Sequence, residues 1–62
     1  MCEANVYLIK NGEESLIMES VDIIKPEEGE IWHLENIFGE QKEIKAWIKE
    51  MNLVDHRILF ES

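Results

Sequence analysis

The chain has 62 residues, 45% of them hydrophobic and 32% charged, which indicates one globular domain over residues 1–62 rather than a disordered chain. Fourteen acidic residues against six basic ones give a net charge of −8, which disfavours binding to nucleic acids and to anionic membranes. The single cysteine excludes a disulfide pair, and no apolar run approaches the roughly 18 residues of a membrane span.

A β-hairpin is predicted at the start of the chain. The segment Ala4 to Lys10 contains consecutive β-branched and aromatic residues, which favour a half-buried strand. Asn11-Gly12 follows, and this pair is typical of a two-residue hairpin turn because both positions tolerate positive φ. The second strand is expected from about Glu14 to Glu19.

Two further strands are predicted in the middle of the chain. Ser20 to Lys25 is expected to be a third strand that ends at Pro26, because proline cannot donate to a strand ladder. A charged loop of residues 27–30 follows, then a fourth strand from Ile31 to Phe38 and a turn at Gly39-Glu40. Alternation places Trp32, Leu34 and Phe38 on one face of the fourth strand, and Ile31, His33 and Ile37 on the other.

The segment from Lys42 to Met51 has two interpretations. A helical stripe with spacing i, i+3, i+4 and i+7 is slightly favoured by pattern, whereas a period of two indicates a strand. The helical stripe consists of Ile44, Trp47, Ile48 and Met51, and the strand face of Ile44, Ala46 and Ile48.

The fold class predicted from these elements is all-β. After a loop from Asn52 to His56, the segment Arg57 to Glu61 is expected to be the last strand. Five to seven short strands with frequent turns predict a small β-barrel or a rolled antiparallel sheet. A homodimer is expected, because so short a chain with this much apolar side chain gains by covering an exposed face.

Cys2 is the main candidate for metal chemistry, because a thiolate beside the N-terminal amine is the most metal-competent group in the chain. Taken alone, a single cysteine more often has no special role. A free cysteine and the lack of a signal peptide also predict a cytoplasmic protein. His33 and His56 are not assigned to the site, and Trp32 and Trp47 are expected in the core or a dimer contact. No nucleophile–base pair, phosphate-binding glycine loop or HExxH motif is present, so an enzyme is not expected.

Three stretches together resemble one known family. They are Met1-Cys2-Glu3-Ala4, the segment Asn36 to Lys42 and the segment Ile48 to Ile58. Over essentially the whole chain they are similar to the CooT family, small nickel-binding accessory proteins of carbon monoxide dehydrogenase maturation. The resemblance implies a homodimer of small β-barrel protomers, Ni(II) bound by Cys2 at the dimer interface, and a strand conformation for Lys42 to Met51. It also implies a client protein, a nickel enzyme such as carbon monoxide dehydrogenase.

The chemistry of Cys2 agrees with that implication. Ni(II) prefers square-planar geometry with sulfur and nitrogen donors. If Met1 is removed, the amine and thiolate of Cys2 form a five-membered chelate; if Met1 stays, its amine and the Cys2 nitrogen and sulfur form a tridentate set. Two copies of Cys2 about a twofold axis would fill the coordination plane of one ion. The alternative hypothesis is a small β-barrel module that binds RNA or protein and has no metal function, although the net charge of −8 counts against RNA.

Overall fold

Six strands in one sheet form the fold in the computed structural model, which describes residues 3–62. No helix occurs among those residues, so the predicted all-β class and strand number are confirmed. The strands are β1 (Ala4–Lys10), β2 (Glu13–Glu27), β3 (Ile31–Asn36), β4 (Gln41–Lys45), β5 (Trp47–Asn52) and β6 (Arg57–Glu61).

The first hairpin agrees with the sequence. β1 and β6 have the predicted bounds, and Lys10 pairs with Glu13 across the turn. Asn11 and Gly12 have φ values of 55° and 79°, the conformation that makes Asn-Gly the preferred pair in this turn.

β2 corrects two predictions. The expected second and third strands are a single strand, because Ser20 does not end the pairing: it has a positive φ of 55° within a region of shifted register. Such an irregularity bends a strand without ending it. The first part of β2 therefore pairs with β1 and the second part pairs with β3.

The sequence predicted that the strand ends at Pro26, but the strand continues past this residue. Pro26 pairs with Trp32 of β3, and β2 continues to Glu27. Among residues 3–62, β1 pairs with β2 only as far as Val21, so the other edge of β2 has no ladder at Pro26 within this part of the chain. A residue without an N–H is tolerated at such an edge.

The strand order β4-β3-β2-β1-β6-β5 shows a rolled sheet that is not closed into a barrel. Its neighbouring strands are antiparallel except for β1 and β6, which are parallel. The two edges, β4 and β5, are consecutive in the chain and are separated only by Ala46, whose N–H donates to the carbonyl of Glu30 at 3.1 Å. The edges thus meet at one corner without a ladder between them. The homodimer stays a prediction.

The segment Lys42 to Met51 is strand on both sides of Ala46, as the resemblance implied, and the helical interpretation is wrong. Ala46 is 2% exposed and Ile44 and Ile48 pack against the core, so the period-two face is the one that is covered. Trp47 and Met51 of the supposed helical stripe are about half exposed. Side chains two residues apart share a face of a strand, which explains the difference.

The core lies on the concave side of the sheet and receives side chains from every strand or its neighbouring residue. Phe60, Leu34 and Val6 are its largest fully buried members. The ring of Phe60 meets that of Trp32 edge to face, with centroids 5.6 Å apart. This contact joins β6 to β3, which are not neighbours in the sheet. The buried hydrophobic residues are Val6, Met18, Val21, Leu34, Ala46, Ile58 and Phe60.

β3 ends at Asn36, two residues earlier than predicted. The buried side chain of Asn36 accepts hydrogen bonds from the N–H groups of Phe38 (3.0 Å) and Glu40 (2.9 Å) and donates to the carboxylate of Glu40 (2.7 Å). Asparagine side chains commonly stabilise turns in this way. Because the turn ends the alternation, Phe38 is 73% exposed and does not share a face with Leu34.

Candidate functional site

The start of β1 lies against the turn between β5 and β6. Cys2, the predicted metal ligand, lies outside the described residues, so the site is described from Glu3 onward. The carbonyl of Glu3 accepts a hydrogen bond from Nδ1 of His56 at 2.8 Å, and the N–H of Asn5 donates to the carbonyl of His56 at 2.8 Å. His56 therefore fixes the backbone on both sides of Ala4.

The β5–β6 turn has its own polar framework. Asn52 accepts from the N–H of Asp55 at 3.0 Å and donates to its carboxylate at 3.2 Å, and His56 has a positive φ of 56°. Asparagine at the start of a turn favours such a conformation. The turn exposes two apolar side chains, Leu53 (65%) and Val54 (88%). The entry to β1 is thus bordered by an exposed apolar tip.

A polar contact on the convex face of the sheet, opposite the core, connects β6 to the first hairpin. Arg57 donates to the carboxylate of Glu14 at 2.6 Å, and its guanidinium lies 4.8 Å from the centre of the Tyr7 ring. Arg57 pairs with Asn5 in the parallel ladder. These contacts hold β1, β2 and β6 together close to the start of β1.

The two tryptophans have separate environments. Trp32 packs on Phe60 and is partly buried against the core, as predicted. Trp47 is 51% exposed on the edge strand β5, so the core prediction does not hold for it. Whether Trp47 belongs to a dimer contact stays a prediction.

His33 lies on the convex face of the sheet, among carboxylates. Its Nε2 contacts Glu35 at 2.8 Å, and its Nδ1 is 3.5 Å from Glu43. The hydrogen bond to Glu35 raises the pKa of His33 above its ordinary value of 6.5, although burial acts in the opposite direction. Glu27 is the third carboxylate that approaches this imidazole, since Glu27, His33 and Glu43 bring one potential ligand atom each within 4.8 Å of one another.

Sequence reasoning placed Glu27 in a solvated loop and did not connect Glu43 with His33. In the structure Glu27 is the last residue of β2, and Glu43 pairs directly with His33 across β3 and β4. His33 and His56 are not brought together: β3 and β6 are separated in the sheet by β2 and β1. The sequence signal for this cluster is the alternation of β3, which places His33 on the face opposite Leu34, but the partners depend on register.

Comparisons with known proteins agree with the fold. The family described as "CO dehydrogenase accessory protein CooT" matches residues 1–61. The chain belongs to the CooT family. A crystal structure assigned to CooT from Carboxydothermus hydrogenoformans is similar, with 50% sequence identity, a TM-score of 0.88, and coverage of 97% of this chain and 95% of that chain. A comparison with curated proteins found no match.

Membership in the CooT family identifies the chain as an accessory protein connected with CO dehydrogenase. The match includes the N-terminal segment that carries Cys2 as well as the whole sheet, so both parts belong to one family unit. Within residues 3–62 there is no helix long and apolar enough to cross a membrane.

Proposed function

We propose that this CooT-family chain binds Ni(II) through Cys2, at the place where two copies of the chain meet, and supplies it for the maturation of CO dehydrogenase. The family match over residues 1–61 is the observation that carries the proposal, since it joins the cysteine-containing start to an accessory role. A metal carrier needs a binding site and a surface for its client, and it needs no catalytic cleft.

The donor set suits nickel better than a hard cation. The thiolate of Cys2 is a soft ligand, and the adjacent amine or backbone nitrogen can close a chelate ring with it. Two such chelates give the sulfur and nitrogen plane that Ni(II) prefers. Calcium and magnesium select oxygen ligands instead, so they are not expected to compete at Cys2.

The anchored backbone after Cys2 supports a role for the fold in presenting this end of the chain. Glu3 directly follows Cys2 in the sequence, and its carbonyl is bound by His56. Asn5 is bound to His56 as well, and the next residues are part of the central strand β1. Fixing the chain this close to a ligand lowers the entropy lost when the metal binds.

The exposed apolar tip supports a dimer contact next to that end. Leu53 and Val54 lie in the turn that precedes His56, and they expose most of their surface. Packing two such tips together would remove apolar area from water and place two chain starts near one another. Because each chain has a charge of −8, a bound divalent cation would also reduce repulsion between the copies.

Titration with Ni(II) tests the assignment of Cys2. The expected result is a thiolate-to-nickel absorption band that saturates at half an equivalent of Ni(II) per chain. The Cys2→Ser variant should lose the band, whereas His33→Gln, whose strand β3 is separated from β1 by β2, should keep it. Cys2→Ser added to His33→Gln should also lose most of the Ni(II) affinity of His33→Gln. Nickel binding by the double variant with the affinity of His33→Gln would show that Cys2 is not the ligand.

The dependence of nickel affinity on pH and concentration tests the rest of the proposal. Amine and thiol must lose protons to bind, so affinity should fall steeply below about pH 6. Sedimentation with and without Ni(II) should show a dimer, weakened by Val54→Asp. A monomer that binds one Ni(II) per chain through Cys2 would leave the ligand assigned and disprove the shared site.

A further inference from the structure

The convex face of β2, β3 and β4 has an imidazole at its centre. Leu34 and Asn36 of β3 are buried in the core, so by alternation His33 and Glu35 lie on the opposite face. Across the sheet, His33 pairs with Lys25 of β2 on one side and with Glu43 of β4 on the other. The three strands therefore surround one imidazole with charged side chains.

The two nitrogens of His33 have different environments. Nε2 lies 2.8 Å from Glu35, a hydrogen bond that fixes the orientation of the ring. Nδ1 is buried and has no hydrogen-bond partner, and it is directed to Glu43 at 3.5 Å. The side chain of His33 is only 15% exposed, and neighbouring side chains cover this unsatisfied atom. A buried polar atom without a partner in a native structure calls for a ligand or another explanation.

We propose that Glu27, His33 and Glu43 bind one divalent transition-metal ion of the zinc, cobalt or nickel class, with Glu35 as the residue that positions the imidazole. Metal–nitrogen and metal–oxygen bonds are about 2.0–2.2 Å long. Two ligand atoms 3.5 Å apart, as Nδ1 and the Glu43 oxygen are, can therefore bind one ion at an angle near the tetrahedral value. Glu27, an exposed side chain within 4.8 Å of both, would complete a set of one nitrogen and two oxygens after a small rotation toward the ion.

The contact between His33 and Glu35 is the arrangement found behind many metal-binding histidines. One ring nitrogen binds the ion while the other donates to a carboxylate, which fixes the tautomer and makes the imidazole a better ligand. The buried Nδ1 without a hydrogen-bond partner is the second observation beside the cluster of ligands itself. Imidazole nitrogen is a good ligand for zinc, cobalt and nickel, and calcium, which selects oxygen atoms, is not expected here.

The charges around the imidazole favour a cation. The carboxylates of Glu35 and Glu43 lie 2.8 Å and 3.5 Å from its two nitrogens, and that of Glu27 lies within 4.8 Å of the other ligand atoms. Lys25 lies opposite His33 in the ladder and Lys45 lies at the end of β4, and both oppose binding. A bound ion would take the place of a proton at Nδ1 of His33, with Glu27 and Glu43 as further ligands and Glu35 still hydrogen-bonded to Nε2.

This site is independent of Cys2, because its ligands come from β2, β3 and β4 of a single chain and contain no sulfur. It goes beyond the proposed nickel function: either site could exist without the other. Experiments on the Cys2→Ser chain isolate it.

The test is calorimetric titration of the Cys2→Ser chain with Zn(II), with nuclear magnetic resonance of the histidine nitrogens as a second readout. We expect one Zn(II) per chain and a selective shift of Nδ1 of His33. His33→Gln and Glu43→Gln, added singly, should each weaken binding at least tenfold. Glu35→Gln should weaken it by about 10- to 100-fold, as expected when the partner of a metal-binding histidine is lost.

Glu50→Gln is the matched control, since Glu50 is an exposed acid on β5 outside the cluster, and it should leave the affinity unchanged. Circular dichroism establishes that each variant is folded, and Glu43 is exposed enough for its substitution to leave the core intact. No Zn(II) binding by the folded Cys2→Ser chain would overturn the proposal. Equal binding by Glu43→Gln and Glu50→Gln, or a shift of His56 instead of His33, would overturn it as well.

Discussion

The two proposed metal sites, at the start of β1 and on the convex face of β2, β3 and β4, would present their ligands in different ways. At the first, the sulfur and the amine belong to the end of the chain, and the fold contributes an anchor, the bond from His56 to Glu3. At the second, the imidazole and the carboxylates project from strands whose register fixes them against each other. The ligands also differ in kind, soft sulfur in one region and nitrogen with oxygen in the other.

This difference determines what each region needs to become a site. Two thiolates and two amines around one ion require a second copy of the chain, so the nickel site should depend on protein concentration. The cluster around His33 is complete within one chain and should depend on the integrity of the sheet. Variants that act on the whole core, on one turn or on one hydrogen bond should therefore separate the two.

Phe60→Ala should have the largest effect and should abolish both sites. Phe60 is fully buried and packs on Trp32, so its truncation removes the contact between β6 and β3. Loss of a buried phenylalanine costs about 3–5 kcal/mol, comparable with the whole stability of so small a domain. Urea denaturation should show a chain that is largely unfolded without denaturant.

Phe38→Ala is the control for that truncation, because it removes the same side chain from a position that is 73% exposed. Its free energy of unfolding should stay within about 0.5 kcal/mol of the parent value. A loss for Phe38→Ala as large as for Phe60→Ala would contradict the assignment of the core to the concave side.

Asn36→Ala should act mainly on the convex face. The turn that Asn36 stabilises joins β3 to β4 and so sets Glu43 opposite His33. Loss of the acceptor for two N–H groups should cost about 1–3 kcal/mol in chemical denaturation. Adding Asn36→Ala to the Cys2→Ser chain should weaken its Zn(II) binding. Asn36→Ala alone should keep the thiolate-to-nickel band of the parent chain.

Asn52→Ala provides a matched change at the opposite end of the sheet. Asn52 also bonds within its turn, but these hydrogen bonds are exposed to solvent, so about 0.5–1 kcal/mol should be lost. Zn(II) affinity at the His33 cluster should not change. If Asn52→Ala weakened that affinity as much as Asn36→Ala, the effect would be a general loss of stability rather than of register.

Local pattern was sufficient for the parts of the fold that depend on neighbouring residues. The Asn11-Gly12 turn and the bounds of β1 and β6 follow from turn chemistry and from β-rich runs. The continuity of β2 through Ser20 and Pro26 could not be predicted from local pattern. It depends on which strand pairs on each side of β2, and pairing is not a property of the segment itself.

The same reason limited the prediction of sites. Alternation assigns His33 to a face, but only the pairing of β3 with β2 and β4 brings it Glu27 and Glu43. Cys2 could be singled out as a candidate directly, because it is the only cysteine in the sequence. A site built on cross-strand pairs therefore becomes visible with the structure, whereas one built on the chain end is visible in the sequence.

His56→Ala should have a smaller effect, confined to the start of β1. It removes the bond to the Glu3 carbonyl and places alanine at a φ of 56°, a conformation that histidine adopts more readily than alanine. Ni(II) affinity should fall by less than tenfold, because the ligands of Cys2 remain. The convex-face cluster should bind Zn(II) as before.

His56→Asn is the control, since asparagine adopts positive φ more readily and lacks the imidazole. It should recover most of the stability lost in His56→Ala but not the anchor of Glu3. Recovery of both stability and Ni(II) affinity would assign the whole effect to backbone conformation and remove the anchoring role of the imidazole.

The smallest effect concerns protonation of His33 in the metal-free chain. Its pKa is raised, mainly by the hydrogen bond to Glu35, so the folded state binds the proton more tightly than the unfolded state. The stabilisation is fully present below the unfolded value of about 6.5 and is lost as pH rises through the higher folded value. The stability difference between the parent and His33→Gln should therefore shrink as pH rises across this range.

Nuclear magnetic resonance with a chelator present measures the titration directly, and Glu35→Gln provides the comparison. The pKa of His33 should exceed 6.5 in the parent and fall in Glu35→Gln, since the principal cause of the shift is removed. A parent value below 6.5 would mean that burial outweighs the carboxylates. The convex face would then not stabilise a cation at His33, and the contrast between its two-carboxylate site and the sulfur site at the chain end would lose its electrostatic basis.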